Sequence, residues 1–324
     1  MSNSSQKMLR RKQHKLITML SYMRPAYGET EREFAKQYLE PVFGNPDKSG
    51  NYILSVGKNP KICFAAHYDT VHKFDGKQNV ILKNDVISLA PKQESNCLGA
   101  DCTTGIWLIL EMIKANIQGV YVVHAAEEIG CVGSKALVAR NPQWINRVQA
   151  VISFDRKGNN SIITHQMGMR TCSDVFAASL GQILGLGMRA DDTGSYTDSN
   201  EYASKVPECT NISVGYYGQH TKNETQDLAF AESLRDALIS ADWSKLVFHR
   251  DPKEVEYLYF PDNYGYGMGD FHYSEDDAIS DMYDIIRDYP KQIAKMMVSM
   301  GYTAEDIADE LNLPFYNLNS KEYY

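Results

Sequence analysis

The sequence predicts an α/β fold, a three-layer sandwich around a mostly parallel mixed sheet, followed by a small C-terminal helical appendage. Short runs rich in β-forming residues alternate with longer stretches in which apolar residues recur at helical spacing. The length of 324 residues suffices for one large domain with a substantial core and an additional segment. The regular alternation stops near residue 250, which marks the end of the predicted sandwich.

The predicted elements follow one another in a simple order. Helical spacing on both sides of Pro25 and Gly28 predicts two opening helices, 8–24 and 29–43. After Gly50 the pattern changes to strands, one of which, 80–89, is predicted to be a hairpin around Asn84-Asp85. The predicted strands are 52–56, 62–66, 80–89, 120–125, 150–154, 162–164 and 210–214. The predicted helices among and after them are 103–115, 134–140, 173–184 and 227–246.

The chain is predicted to divide into three parts. Residues 1–249 are predicted to form the large α/β domain, residues 250–274 an aromatic and glycine-rich linker or strap, and residues 275–324 a small acidic helical bundle. Within the bundle we predict helices over 275–288, 290–300 and 303–312.

Charge is distributed unevenly along the chain. Residues 250–324 carry 6 Lys and Arg against 16 Asp and Glu, whereas the whole chain has a formal net charge of -8. An acidic surface opposes binding to phosphate backbones, so nucleic acid is not an expected partner. For the C-terminal helices we expect instead a protein partner or self-association.

Composition indicates a folded protein of a reducing compartment. The contents of 43% hydrophobic and 23% charged residues are ordinary for a globular chain. No apolar run approaches the roughly 20 residues that a membrane span needs, and residues 1–15 are polar and basic. Six scattered cysteines in a chain of this size favour reduced thiols. We therefore predict a cytoplasmic protein without membrane contact.

Imidazoles and carboxylates occur where predicted strands end. Because the carboxyl ends of strands in an open α/β sheet line one crevice, we expect the side chains that follow four of the strands to converge. One further carboxylate lies in the loop before the helix at 103–115. Two imidazoles and three carboxylates can hold two divalent ions when one carboxylate bridges them, and a fourth carboxylate beside them can act on a metal-bound water. The residues concerned are His67, Asp101, Glu127, Glu128, Asp155 and His220.

Two local patterns suggest how these residues divide their roles. In His67-Tyr68-Asp69, strand alternation places Asp69 where it can accept a hydrogen bond from the imidazole and fix its orientation. Glu127 and Glu128 are adjacent at the end of an apolar strand, which is costly unless a positive group lies between them. We assign Glu128 to metal and Glu127 to the general base. Each pattern by itself has an ordinary structural explanation, and the serial order of all of them favours a site.

These pieces resemble the signature of a known superfamily. The segments His67-Tyr68-Asp69-Thr70, Gly99-Ala100-Asp101, Glu127-Glu128-Ile129-Gly130 with Gly133-Ser134, Asp155 and His220 are similar to those of the co-catalytic di-zinc exopeptidases. That superfamily includes zinc aminopeptidases, tripeptidases and acyl-amino-acid hydrolases. The resemblance spans roughly residues 10–245 of this chain.

The resemblance implies roles for individual residues. One zinc ion would be held by His67, Asp101 and Asp155, and a second by the bridging Asp101 with Glu128 and His220. Glu127 matches the catalytic base and Asp69 the residue that orients the histidine. Imidazole and carboxylate ligands suit zinc best, although manganese and cobalt are also accepted by such a set.

Departures from the superfamily concern the substrate. Members with a lid domain carry about a hundred extra residues between the metal ligands, whereas only 64 separate Asp155 from His220 here, so the lidless, aminopeptidase-like branch is the closer match. In the polar loop 192–201, Asp198 and Glu201 are candidates for binding a free α-amino group. Tyr217 is the candidate for stabilising an oxyanion.

The predicted function is that of a metal-dependent peptidase, an aminopeptidase on short peptides that uses a water bridged by two divalent ions and Glu127 as general base. Nothing in the motifs separates this from deacylation of an N-acyl amino acid or related amide on the same site. Two further alternatives are a binding protein that has lost catalysis and a glutaminyl-cyclase-like enzyme. A small peptide or an acylated amino acid is therefore the expected small-molecule partner.

Overall fold

The computed structural model describes residues 14–257, residue 286, residues 290–299, residues 302–304 and residues 307 and 308. The strands are β1 (Tyr22–Met23), β2 (Tyr52–Val56), β3 (Ile62–His67), β4 (Gly76–Lys77), β5 (Val80–Lys83), β6 (Val86–Leu89), β7 (Gly119–His124), β8 (Ala150–Arg156), β9 (Ser161–Ile163), β10 (His165–Gln166), β11 (Met169–Arg170), β12 (Arg189–Asp191), β13 (Glu208–Ser213), β14 (Tyr216–Tyr217) and β15 (Thr225–Asp227). The helices are α1 (Lys15–Met19), α2 (Glu29–Phe34), α3 (Glu40–Phe43), α4 (Ala100–Lys114), α5 (Val132–Arg140), α6 (Asp174–Leu184), α7 (Asp198–Glu201), α8 (Leu228–Ser240) and α9 (Pro290–Ser299). A π-helical segment, Ala35–Leu39, joins α2 to α3, and a 3-10 turn, Trp243–Lys245, follows α8.

A mixed sheet forms the centre of the fold. Within the described residues it has seven strands in the order β12-β9-β13-β8-β3-β7-β2. The neighbouring strands β13, β8, β3 and β7 are parallel to one another, whereas β2 is antiparallel to β7 and β9 is antiparallel to β13. The predicted α/β class with a mostly parallel mixed sheet is confirmed. The four parallel strands end at the same edge of the sheet, so the side chains that follow them are brought together there.

Both faces of the sheet are covered, which makes three layers. In β3, Ile62 and Phe64 belong to one buried apolar cluster, whereas Cys63 and Ala65 belong to the other. Alternate residues of a strand point to opposite faces, so an uninterrupted apolar strand serves two cores. Helices α1, α4, α6 and α8 pack on the first face, and α5 packs on the second.

A second, four-stranded antiparallel sheet stands beside the first, in the order β14-β15-β6-β5. The predicted hairpin at 80–89 is present as β5 and β6, with left-handed backbone at Asn84 (φ 51°) and Asp85 (φ 62°) in its turn. Strand β6 pairs with β15, and β15 pairs with β14. The hairpin therefore supports the loop 218–224, which joins β14 to β15.

The helix predictions need three corrections. Of the predicted helix 8–24, residues 8–13 lie outside the described residues, α1 ends at Met19, and Tyr22–Met23 forms a strand paired with β4. The predicted helix 29–43 is interrupted by the π-helical segment, just before Pro41, whose ring and missing N–H disfavour a regular turn. The predicted helix 227–246 ends at Ser240 because Ala241 adopts extended backbone.

The chain divides into two compact units between residues 259 and 260. In the first unit, the start of the predicted strap is held against the sandwich, because the Arg250 guanidinium donates to the carbonyl oxygens of Ala203, Val206 and Pro207. Residues 258–274 of that predicted strap lie outside the described residues. In the second unit α9 is described, and most of the other two predicted helices lies outside the described residues.

The structure bears on two sequence predictions, that the cysteines are reduced and that the chain has no membrane span. All six cysteines lie in the described part of the chain, where each is buried and none forms a disulfide. A search of the described helices found none with the length and apolar character needed to cross a membrane.

Candidate active site

The fold brings six predicted site residues to the carboxyl edge of the parallel strands. His67 is the last residue of β3, and Asp155 is the penultimate residue of β8, a strand that is two residues longer than predicted. Glu127 and Glu128 lie in the turn between β7 and α5, and His220 lies in the loop between β14 and β15. Asp101 lies at the start of α4; there Asp101 and Cys102 have non-helical backbone angles, so the regular helix begins at Thr103, as predicted.

Close packing of α4 on β8 sets the position of Asp101. A Cβ atom on Gly105 would lie 2.3 Å from the carbonyl oxygen of Phe154, the residue before Asp155. Only glycine allows helix and strand to approach this closely. The peptide bond between Asp101 and Cys102 is cis.

Asp101 lies between the two imidazoles. Its Oδ1 atom is 3.3 Å from His67 Nε2, and its Oδ2 atom is 3.3 Å from His220 Nε2. On the first side Asp155 Oδ1 lies 3.4 Å from His67 Nε2, and on the second side Glu128 Oε2 lies 3.4 Å from His220 Nε2. The cluster thus has two halves that share one carboxylate, which is the arrangement of a two-ion centre.

The buried charge of this cluster calls for cations. Burial and the charges of neighbouring carboxylates raise the pKa of Glu127, Glu128 and Asp155. Two oxygen atoms of the cluster, Glu128 Oε1 and Asp155 Oδ1, are buried without a hydrogen-bond partner. A buried carboxylate oxygen that lacks a donor is costly unless a positive charge satisfies it. The donor set of imidazole nitrogens and carboxylate oxygens therefore fits divalent metal ions.

Asp69 does more than the sequence indicated. His67 Nδ1 lies 3.2 Å from the Asp69 carbonyl oxygen and 3.4 Å from Asp69 Oδ1, so the proton on Nδ1 is held there and Nε2 faces the cluster. The same carboxylate accepts the backbone N–H groups of Glu127 and Glu128, each at 3.0 Å. One fully buried side chain thus orients His67 and the turn that carries both glutamates.

Asp155 is oriented by two residues that sequence reasoning missed. Thr197 donates to Asp155 Oδ2 at 2.7 Å, and the buried Tyr216 hydroxyl donates to the Asp155 carbonyl oxygen at 2.9 Å. The neighbouring Tyr217 is different, since its side chain is 43% exposed and the described contacts give its hydroxyl no partner in the cluster. Alternation along a strand decides which of the two tyrosines points inward, and the start of so short a strand has no sequence signal.

The two predicted substrate-binding acids lie on the short helix α7. Asp198 is buried, its Oδ1 atom has no hydrogen-bond partner, and its charge is one of those that raise the pKa of Glu127. Burial raises the pKa of Asp198 itself to about 7. Glu201 accepts from the Tyr196 hydroxyl at 2.5 Å and lies 4.0 Å from Lys135 Nζ. Asp198 therefore has unused hydrogen-bonding capacity, whereas Glu201 is already paired.

A further carboxylate next to the cluster was missed altogether. Glu224 is buried, and its side chain accepts the backbone N–H group of Asp101 together with those of the three preceding residues. No local pattern marks Glu224 as a buried residue, because a glutamate at the end of a polar loop ordinarily lies in solvent.

Two other histidines near the cluster have structural partners. His124 is enclosed by Asn51 and Tyr202, and burial lowers its pKa to about 3. His72 lies between the hydroxyl of Thr70 and the carbonyl oxygen of Cys97, and burial lowers its pKa to about 4. Both residues therefore remain neutral in the folded protein at neutral pH.

We expect His72 to make folding stability depend on pH. Between its ordinary pKa of 6.5 and about 4, the unfolded chain binds a proton that the folded chain excludes, so stability decreases as pH falls through this window. At about 1.4 kcal/mol per pKa unit, the contribution is about 3 kcal/mol. Urea unfolding at pH 7 and pH 4.5 should show a smaller pH-dependent loss in His72→Gln than in wild type. Equal losses in the two proteins would contradict the prediction.

Comparison with known proteins bears on the identity of this site. The model of peptidase family M28 matches residues 51–184, a segment that contains His67, Asp69, Asp101, Asp155 and the Glu127-Glu128 pair and ends before His220. The predicted resemblance to the co-catalytic zinc exopeptidases is confirmed. The chain is accordingly a hydrolase of peptide bonds. A search of curated proteins gave no match.

Solved structures of peptidases share the fold of this hydrolase. Aminopeptidase PepT from Bacillus cereus is 15% identical, with a TM-score of 0.56 over 71% of this chain and 97% of its own. A tripeptidase from Staphylococcus aureus is 14% identical, with a TM-score of 0.58 over 71% of this chain and 96% of its own. A TET aminopeptidase from a Thaumarchaeota archaeon is 13% identical, with a TM-score of 0.50 over 74% and 96%. At these identities the likeness concerns the fold.

The absence of an inserted lid in this hydrolase agrees with the lidless branch that the sequence favoured. Between Asp155 and His220 the chain forms β9, β12 and β13 of the central sheet, the short strands β10, β11 and β14, and helices α6 and α7. These elements belong to the sandwich itself.

Proposed function

We propose that the protein is an aminopeptidase that acts on short peptides with two divalent metal ions and a glutamate base. The observation that carries the proposal is the placement of Asp101 between two imidazoles, at 3.3 Å from each, with a further carboxylate on either side. A metal-dependent peptidase is already supported by the family match. The position of bond cleavage and the roles of single residues are the parts that we propose.

The residues that would hold the ions form two sets that share Asp101. His67, Asp155 and Asp101 would hold one ion, and Asp101, Glu128 and His220 would hold the other. When bound, such ions polarise the scissile carbonyl group and lower the pKa of water. We propose zinc as the resident metal, because mixed imidazole and carboxylate ligands suit it.

Glu127 is the residue proposed to move the proton. Its Oε2 atom lies 3.9 Å from His67 Nε2, beside the cluster, and its side chain is 12% exposed. It accepts a proton from the attacking water and donates it to the leaving amine nitrogen. The backbone N–H group of Glu127 donates to Asp69, which also contacts His67, so Asp69 fixes the position of Glu127 relative to His67.

Asp198 is proposed to bind the free α-amino group of the substrate. Its buried Oδ1 atom has no donor, and an ammonium group would supply one together with a positive charge. The salt bridge from Lys135 and the hydrogen bond from Tyr196 leave Glu201 less available, so we assign it to the support of this pocket. Tyr217 remains a prediction for the oxyanion.

The proposed function is tested by digestion of a mixed peptide library with protein loaded with zinc, manganese or cobalt, followed by mass spectrometry. We expect ladders that shorten from the N-terminus, because the amino group is held beside the cluster. Ladders that shorten from the C-terminus, or cleavage within peptides, would contradict the proposal. Release of free amino acids from N-acyl amino acids, without peptide cleavage, would establish the deacylase alternative.

An N-acetylated copy of the library serves as the control. Acetylation removes the positive charge that Asp198 is proposed to recognise, so wild type should cleave these peptides far more slowly than the free ones. Asp198→Asn should lose most of this preference, mainly through a higher KM for free peptides. Glu201→Gln is the matched variant on the same helix and should change the preference less.

The C-terminal segment and the cellular compartment also remain proposals. Self-association or partner binding through residues 275–324 rests on their acidic, helix-forming sequence. A cytoplasmic location is favoured by six buried cysteines without disulfides.

A further inference from the structure

Glu224 makes an unusual set of contacts. Its Oε2 atom accepts the backbone N–H groups of Leu98 and Gly99 at 2.9 and 3.1 Å, and its Oε1 atom accepts those of Ala100 and Asp101 at 2.8 and 3.3 Å. These N–H groups precede the regular helix, which begins at Thr103, and a buried backbone N–H group is costly unless it finds an acceptor. A side chain 123 positions away in sequence therefore holds the segment that presents the shared carboxylate of Asp101.

The same side chain belongs to the loop that carries His220. The Glu224 N–H group donates to the Thr221 carbonyl oxygen at 3.0 Å, and the Thr221 hydroxyl donates to the Gly218 carbonyl oxygen at 2.7 Å. His220, in the middle of this compact loop, has left-handed backbone (φ 61°). Strands β14 and β15 on either side are fixed through β6. Hydrogen bonds thus link the residues on both sides of His220, and Glu224 attaches this loop to the start of α4.

We propose that Glu224 is a positioning residue that sets the distance between Asp101 and His220, and through it the affinity of the ion site formed by Asp101, Glu128 and His220. This inference rests on the two-ion centre of the proposed function. The other ion site draws His67 and Asp155 from adjacent strands of the central sheet, whose positions are set by the backbone ladder. Loss of Glu224 should consequently weaken one site and leave the other nearly unchanged.

His220 depends on such a tether more than the other ligands do. Its side chain is 40% exposed, whereas those of His67 and Asp155 are 1% and 8% exposed. Strand packing confines the buried ligands, but the loop ligand is confined by the contacts of its loop. The four bonds to Glu224 tie that loop to the metal-binding end of α4.

The test is a titration of metal-free wild type and Glu224→Gln with Co2+, followed by calorimetry and by visible absorption of the bound ion. In Glu224→Gln an NH2 group replaces one carboxylate oxygen, so two backbone N–H groups face a donor. We expect wild type to bind two ions, and the variant to bind one of them within threefold of the wild-type Kd and the other at least tenfold more weakly. Because the readout is metal binding, it does not depend on which bond the enzyme cleaves.

Glu208 supplies a matched control. It is also a buried glutamate that accepts backbone N–H groups, those of Ser173, His249 and Arg250, but it lies at the opposite end of β13 from the cluster. Glu208→Gln should lower the unfolding temperature and leave both Co2+ affinities unchanged. Should Glu224→Gln fail to fold, Glu224→Asp, which keeps the charge but shortens its reach, is measured in its place with the same expected selectivity.

Four results would overturn the inference. If Glu224→Gln bound both Co2+ ions with the wild-type Kd values, the hydrogen bonds of Glu224 would have no effect on metal binding. Equal weakening of both ions, or the same selective loss in Glu208→Gln, would show a general effect on stability. Fewer than two ions in wild type would remove the two-ion centre itself. Two bound ions without aminopeptidase activity would contradict the proposed function alone and leave this test valid.

Discussion

Glu127→Gln should reduce kcat about 10²- to 10⁴-fold and leave two metal ions bound. The amide has the size of the carboxylate but cannot accept a proton from the attacking water. Glu127 lies beside the cluster, and its backbone contact with Asp69 does not involve the side chain. Steady-state rates on a peptide found in the library digestion, together with metal content by mass spectrometry, measure both effects.

The neighbouring glutamate provides the control. Glu128 Oε2 lies 3.4 Å from His220 Nε2, within the second proposed ion site. Glu128→Gln should therefore lose metal as well as activity, whereas Glu127→Gln should lose activity alone. Normal turnover in Glu127→Gln would remove the base assignment, and loss of metal in that variant would show that Glu127 is a ligand.

Asp101→Ala should have the largest effect on metal content. Asp101 is the carboxylate that the structure places against both His67 and His220, so its removal deprives both ion sites of a ligand at once. We expect fewer than one ion per chain at metal concentrations that saturate wild type. Turnover should fall about a thousandfold or more, since metal ions contribute several kcal/mol to transition-state stabilisation and about 1.4 kcal/mol corresponds to a factor of ten.

Asp155→Ala separates the loss of one site from the loss of both. Asp155 lies on the His67 side of the cluster only, so this variant should retain about one ion per chain, at the site of Glu128 and His220. Thermal unfolding of the metal-free proteins shows whether the variants are folded. Two ions in Asp101→Ala, or equal metal content in the two variants, would contradict the bridging role.

Much of the fold could be predicted because it depends on local patterns. Strand 52–56 has the predicted bounds, the hairpin at 80–89 turns at Asn84-Asp85, and the regular part of α4 begins at Thr103. Apolar runs and turn residues determine these elements from neighbouring positions in sequence. The short strand Tyr22–Met23 was missed because it exists only through its pairing with β4.

In the candidate site, too, some features follow from local sequence patterns and others only from contacts between distant segments. The order of imidazoles and carboxylates along the chain indicated which side chains converge, because strand ends in a parallel sheet share one edge. The residues that hold these side chains in place could not be predicted from the order along the chain. Asp69 accepts N–H groups from a turn 58 and 59 positions away, and Glu224 accepts them from a loop more than 120 positions away.

The sequence by itself thus determined the fold class, the converging residues and the hydrolase chemistry, since periodicity and residue type are local properties. The tertiary structure decided that Tyr216 rather than Tyr217 points inward, that Asp198 is buried with an unpaired oxygen while Glu201 is already paired, and that Glu224 ties the His220 loop to α4. These features depend on which distant segments pack together and on which polar groups this packing removes from water. Hydrogen bonds between distant segments have no periodicity, so they become visible only after the chain has folded.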